Sequence, residues 1–281
     1  MPQGAVLSNF KFKRVVGAIS WFAKRRQQHR PEIAAMLAKD IRAQKPDHVA
    51  FTGDLLNIAA LKEFDRGLRW LEAFGKPDWL SYTPGNHDAY VAVPWARGLA
   101  KFEPYMSSDL NQPDLFPFIR LRRYVALIGL NGACPQSLWQ AGGEIGSAQL
   151  ARLKQKLDAL KLRGFYRVVM IHHPPAPGLA HPLRSLKDAG ELADVLKSSG
   201  AELVIHGHNH TTSLNTLEGT SGQIPIIGVP SASLKSGIGH HSAAWNNYEI
   251  ARIKGQWQTK VKVRELNPSS TGFTTTREFV L

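Results

Sequence analysis

Four apolar, β-prone runs in this chain end in polar clusters of one kind. His48–Thr52 leads into Gly53-Asp54-Leu55-Leu56-Asn57, and a run at about 79–83 leads into Gly85-Asn86-His87-Asp88. Arg167–Ile171 leads into His172-His173-Pro174-Pro175, and Glu202–Ile205 into His206-Gly207-His208-Asn209-His210. A further run, Tyr124–Leu130, is almost wholly apolar. Between these runs the apolar residues recur at helical spacing. Ile33, Ala34, Leu37, Ala38 and Ile41 do so between Pro31 and Pro46, and Phe64, Leu68, Leu71 and Phe74 do so within about 62–74. Two more helices are predicted, 148–162 with Ser147 as N-cap and about 187–199 stopping at Gly200. Strands alternating with helices predict a parallel sheet, and such a sheet binds ligands at the carboxyl ends of its strands. Four clusters at four such ends can therefore meet at one point.

Past about residue 222 the helical spacing stops. Ile224–Val229, Tyr248–Ile253 and Gln256–Val263 read as strands, the last two as a hairpin turning at Lys254-Gly255. The reading is an α/β protein with a mixed sheet or two packed sheets, organised as a single domain over residues 1–281.

Taken singly, each cluster is a turn. Asp54 after Gly53 caps one, Asn86 and Asp88 do likewise, and a histidine at a strand end is commonly a satisfied surface residue. Taken together, the clusters supply carboxylate, amide and imidazole donors, a mixture that suits Zn, Mn, Fe or Co without selecting among them. Cys134 is the only cysteine, which excludes a structural zinc finger and an intramolecular disulfide and points to a reducing cytoplasm. No G-x-x-x-x-G-K-[ST] loop and no G-x-S-x-G elbow occurs, and Gly142–Gly146 reads as a turn before a helix.

The formal net charge is +13, and residues 1–30 hold Lys11, Lys13, Arg14, Lys24, Arg25, Arg26 and Arg30 with no acidic residue. This basic N-terminal segment reads either as a solvated face or as a contact for an anionic membrane, nucleic acid or a phosphate-bearing substrate. Its Val15, Val16, Ile19, Trp21 and Phe22 fit an amphipathic helix or a helix docked on the protein's own core. No run approaches the ~20 apolar residues of a membrane span. His240 and His241 read as a surface loop.

The ordered set GD-x-x-N, GNHD, HHPP and GHNH resembles the calcineurin-like metallophosphoesterase family from about residue 48 to 230. That resemblance implies a four-layer α/β/β/α sandwich of two mixed sheets around two divalent cations. It implies that Asp54 bridges the two, that Asn86, His172 and His208 bind one, and that His210 binds the other. His87 would serve at the leaving group, with Asp88, His173, Asn57 and Asn209 supporting the site from behind and Asp88 orienting His87. The implied reaction is hydrolysis of phosphoester, by expectation phosphodiester, bonds through in-line attack of a hydroxide generated between the cations.

One family feature is missing. An Asp-x-His after the first strand should complete the cation site of His210, yet no Asp precedes Asp40 and the first histidine is His29. Residues 1–10 also lack the apolar strand that carries that motif. The expectation is that the natural chain starts upstream of Met1. The alternative is a chain binding one cation and acting as a catalytically impaired binding or regulatory protein. A basic nucleic-acid-binding protein is a further rival, without a recognisable motif to support it.

Overall fold

The computed structural model describes residues 13–14, 26–137, 139–220, 222–235 and 242–281. Helix α1 (Pro31–Ala43) starts on a proline, whose missing N–H costs nothing in a first turn, and buries Ile33, Leu37, Ala38 and Ile41 along one stripe. Then follow β1 (Val49–Phe51), α2 (Leu61–Phe74) and β2 (Leu80–Tyr82). α2 buries Phe64, Gly67, Leu71 and Phe74, and the crossover it makes lets β1 and β2 pair in parallel.

Six strands form the larger sheet: β3 (Phe118–Arg122), β4 (Val125–Gly129), β5 (Tyr166–Met170), β6 (Leu203–His206), β7 (Ser213–Gly219) and β8 (Gly222–Gly228). Their order is β3-β4-β5-β6-β8-β7. The inner four are parallel, and β3 and β7 close the edges antiparallel. Helices α3 (Ser147–Leu162) and α4 (Ala189–Ser199) are the crossovers before β5 and β6. Successive side chains in a strand point to opposite faces. In β5, Val169 packs with Leu153, Leu157 and Leu192 of the two helices, while Val168 and Met170 join the apolar cluster on the other face. That second cluster runs from Ile33 to Phe273, so the C-terminal strands share a core with the N-terminal helices.

Strands β9 (Ala244–Ile253), β10 (Gln256–Leu266) and β11 (Phe273–Val280) make an antiparallel sheet. Lys254 and Gly255 turn its first hairpin, both with positive φ, as a two-residue I′ loop requires. The α/β/β/α layering matches the expectation, with one difference. The second layer is in two pieces, β1-β2 and β9-β10-β11. Among the described residues no strand pairs with the second edge of β1 or β9. A cavity of about 1330 Å³ lies there, lined by Val49–Phe51, Ala244–Ala251 and inward residues of the large sheet such as Val168 and Ile205.

Two local expectations need correction. Ser147 is the first residue of α3 and not its cap. Gly146 precedes it at φ 82°, and the Asp188 carboxylate takes the N–H groups of Ile145 and Gly146 from across the loop. The edge strands β3, β7 and β11 add to the predicted set. β11 reads FTTTREFV, and a polar edge strand carries no apolar run to reveal it.

Candidate metal centre

The turns after β1 and β2 touch at backbone distance. A Cβ on Gly53 would lie 2.7 Å from His172 Nδ1 and 2.8 Å from Gly85 N. One on Gly85 would lie 2.2 Å from Asp54 Oδ1. Only glycine permits such an approach. Between the turns sits Asp88, 1% exposed. Its carboxylate accepts from the N–H groups of Gly85 (2.7 Å), Asp54 (2.8 Å) and Leu56 (2.9 Å). Burial, aided by repulsion from Asp54, pushes its pKa up to about 6.

The turns after β5 and β6 complete the convergence. His172 Nδ1–H donates to the Thr52 carbonyl at 2.7 Å, which turns Nε2 inward. That nitrogen lies 3.2 Å from Asn86 Oδ1, 3.2 Å from His208 Nδ1 and 3.3 Å from Asp54 Oδ2. His208 Nδ1 is 3.0 Å from the same Asn86 oxygen. Three of these positions strain the backbone: Asp54, His208 and His210 have φ of 60°, 66° and 55°. Left-handed conformations at non-glycine residues cost roughly 1–3 kcal/mol each and gather at functional sites.

The electrostatics suit a cation. Burial favours a protonated Asp54, but the charges of His172 and His87 and the hydrogen bonds from both hold its pKa well below the usual carboxylate range. Burial lowers His172, yet the Asp54 charge and hydrogen bond outweigh it and raise its pKa. Burial above all lowers His208 to about 2 and His210 to about 4, so both imidazoles are neutral at neutral pH. Buried His208 Nε2 has no hydrogen-bond partner among the described residues. A carboxylate oxygen, an amide oxygen and an imidazole lone pair facing one another repel unless a proton or cation lies among them. The donor set thus fits a divalent cation. Among the described residues no group of three or more His, Cys, Asp or Glu is by itself arranged to hold a metal ion. The convergence here is a mixed set whose common neighbour is His172 Nε2, with the Asn86 amide among its members.

The remaining predicted residues surround this cluster. His87 donates its backbone N–H to Asp54 Oδ1 at 2.8 Å, and its Nδ1 bonds the Asn57 carbonyl at 2.6 Å. Its ring stacks on Tyr90, centroids 5.7 Å apart and planes within 3°. Asn57 thus meets the site through its backbone. Asp88, expected to orient His87, instead spends its carboxylate on three backbone N–H groups and locks two turns together. His173 is fully buried, bonds the Ala141 carbonyl through Nε2 and packs its ring 4.5 Å from that of His208. Burial holds its pKa down at about 3. Asn209 donates to the Leu179 carbonyl and so fastens its turn. His210 stands apart from the cluster, its ring edge-to-face with His29 at 5.8 Å.

Sequence reasoning missed His29, Tyr90 and Lys13 as site neighbours. Lys13 looked like one charge of a basic surface. It is 5% exposed, donates to the carbonyls of Tyr90 (2.8 Å) and Gln136 (2.9 Å), and lies over the Tyr90 ring. Arg14 donates to the Ala59 carbonyl. These two cations of the basic segment face the protein. Lys11, Lys24 and Arg25, the amphipathic pattern of 15–22, and His240 and His241 lie outside the described residues. Among the described residues no helix is long and apolar enough to cross a membrane.

The calcineurin-like phosphoesterase family model matches residues 26–212, more than half of the chain. The chain belongs to that family. A Rhodococcus erythropolis protein named "Probable cyclic nucleotide phosphodiesterase" is 34% identical over 183 residues, covering 62% of this chain and 55% of that protein. This chain thus spans about half the length of that relative. A Synechococcus protein with the same descriptive name is 22% identical over 231 residues, covering 81% of each chain. The crystal structure of a dimetal phosphatase from Danio rerio aligns with a TM-score of 0.57 at 16% identity over 88% of each chain. That likeness supports the fold.

Proposed function

We infer that this protein is a metal-dependent phosphoesterase that cleaves phosphodiesters. In this reading Asp54, Asn86, His172, His208 and His210 hold two divalent cations, drawn from Mn, Fe, Zn and Co. The observation that carries the reading is the approach of Asp54, Asn86 and His208 to His172 Nε2 within 3.3 Å at the ends of four strands. When bound, divalent cations there supply charge to the phosphoryl oxygens and an acidified water as nucleophile.

The chain's own groups do the rest. Asp54 stays ionised despite burial and supplies the negative charge that a pair of cations needs. The Thr52 carbonyl fixes the His172 tautomer, as ring partners of metal-binding histidines do. His87 Nδ1 is committed to the Asn57 carbonyl. Proton exchange with, or hydrogen bonding to, a leaving oxygen therefore falls to Nε2. Stacking on Tyr90 holds that ring in place. The names of the two relatives make cyclic nucleotides the first diesters to try.

The test is hydrolysis of bis(p-nitrophenyl) phosphate and of p-nitrophenyl phosphate by chelator-treated protein, with and without Mn²⁺. Turnover is expected only with Mn²⁺, faster on the diester, and lowered at least about 10³-fold in Asp54→Ala, the effect of losing several kcal/mol of charge stabilisation. A folded, Mn²⁺-loaded protein without turnover would sink the enzyme reading. A preference for the monoester would sink the diester assignment alone.

A further inference from the structure

We propose that Lys13 and Arg14 are positioning residues for His87: Lys13 grips the ring that stacks on it, and Arg14 grips the loop that fixes its Nδ1. The inference rests on the reading of His87 as the group at the leaving oxygen and deepens it. It also gives two charges of the basic N-terminal segment a partner inside the protein.

The first observation concerns Lys13. It is 5% exposed, and a buried ammonium is costly unless its hydrogen bonds are satisfied. Its Nζ donates to the Tyr90 carbonyl at 2.8 Å and to the Gln136 carbonyl at 2.9 Å. The same Nζ lies 4.2 Å from the centre of the Tyr90 ring. Attraction between a cation and an aromatic face grows when both are out of water. Lys13 thus holds Tyr90 by its main chain and by its ring. That ring is the one parallel to the His87 imidazole within 3°, and the Tyr90 N–H reaches back to the His87 carbonyl at 3.4 Å.

The second concerns Arg14. Its Nη2 donates to the Ala59 carbonyl at 2.7 Å. Ala59 is fully buried with φ 52°, a left-handed conformation that costs energy at any residue but glycine. Two residues before it stands Asn57, whose carbonyl meets His87 Nδ1 at 2.6 Å. Glu63 Oε2 accepts the N–H groups of Ile58 at 3.1 Å and Ala60 at 3.0 Å, so the loop is held on both sides of Ala59 as well.

The third is what the pair leaves alone. Among the described residues, neither Lys13 nor Arg14 bonds a member of the cluster around His172 Nε2. Their effect should therefore fall on His87 and spare cation binding.

The experiment is a double-mutant cycle on Mn²⁺-supported hydrolysis of bis(p-nitrophenyl) phosphate, with the cobalt that Co²⁺-loaded protein retains after desalting as a separate readout. Lys13→Met keeps the stem and removes the ammonium. It is expected to lower kcat about tenfold, as displacement of a reacting group does, and to leave KM and retained cobalt unchanged. In the His87→Ala background the same substitution should cost nothing further, because the group it positions is already gone. Arg14→Gln is expected to follow the same pattern with a smaller loss. Equal losses in the wild-type and His87→Ala backgrounds would overturn the inference. So would an unchanged kcat in folded Lys13→Met, or cobalt lost together with activity. If Lys13→Met does not fold, Lys13→Gln, whose amide can still donate to one carbonyl, takes its place, and Arg14→Gln decides if neither folds. Wild-type turnover that His87→Ala leaves intact would remove the role of His87 and the inference with it. No turnover by Mn²⁺-loaded wild type would instead remove the enzyme reading beneath both.

Discussion

The two ends of the candidate metal pocket are built differently. At one end His172, Asn86, His208 and Asp54 interlock. Their donor atoms lie 3.0–3.3 Å apart, their turns touch through Gly53 and Gly85, and Asp88 ties three backbone N–H groups between them. At the other end His210 and His29 meet edge to face at 5.8 Å, beside a cavity that continues between β1 and β9. The first end is built wholly by the turns after β1, β2, β5 and β6. The second depends on the segment before α1, which the bridge to Leu234, two 2.8 Å backbone hydrogen bonds and Ser231 and Ser233 hold from residues far along the chain. A pocket can thus draw one wall from strand-end turns and the other from a flanking segment pinned by distant residues.

The largest test of this contrast is His87, which stands on the interlocked side. His87→Ala should lower kcat about 10²-fold, the usual worth of a positioned acid or hydrogen-bond donor, and leave the cobalt content unchanged. Loss of cobalt together with activity would make His87 part of the metal site.

Next comes packing. Gly85→Ala drives a Cβ into Asp54 backbone N at 2.7 Å and Oδ1 at 2.2 Å, so it should destabilise by about 2 kcal/mol or more and release metal. Gly146→Ala is the comparison. Gly146, unlike Gly85, has positive φ, but an added Cβ meets nothing within 4 Å, so only backbone strain of about 1 kcal/mol should appear and metal should stay. Denaturant melts of the two variants decide, and equal losses would mean that the contact between the turns does not matter.

The far end of the cavity sharpens the contrast through pH. Burial first, then the Arg122 and Arg120 charges, lower the pKa of His48 to about 3. It bonds Ser81 Oγ at 2.8 Å and accepts from Arg122 Nε at 3.2 Å. The unfolded chain takes up this proton near pH 6.5 and the folded one only near pH 3. The stability is therefore complete above about pH 6.5 and is lost as pH falls through that window, by up to about 2 kcal/mol at pH 5. His48→Asn should flatten the slope of stability against pH in metal-free protein. An unchanged slope would show that the imidazoles of the pocket carry the acid sensitivity alone.

The interlocked end was legible in the sequence because its ingredients are local. Each donor follows a short apolar strand, and the glycines that let the turns approach stand beside it. The other end was not legible. His29 lies outside any strand-end cluster, and the contact that brings it to His210 spans the chain from residue 29 to residue 234. The place of Asp88 was hidden for a related reason, since a carboxylate that serves the backbone N–H groups of two turns meets atoms common to every residue type. Among the elements, the apolar strands and amphipathic helices were readable within a few residues. The edge strands β7 and β11 were not, because polar and exposed residues interrupt any apolar run in them.

The central claim is that the turns after β1, β2, β5 and β6 form one cation site. Titration with Co²⁺, followed by its visible absorption, tests it most directly. The account predicts saturable bands in wild type that are lost in Asn86→Ala and His208→Ala while both variants stay folded. Bands that survive both substitutions, or a folded wild type that develops none, would contradict it.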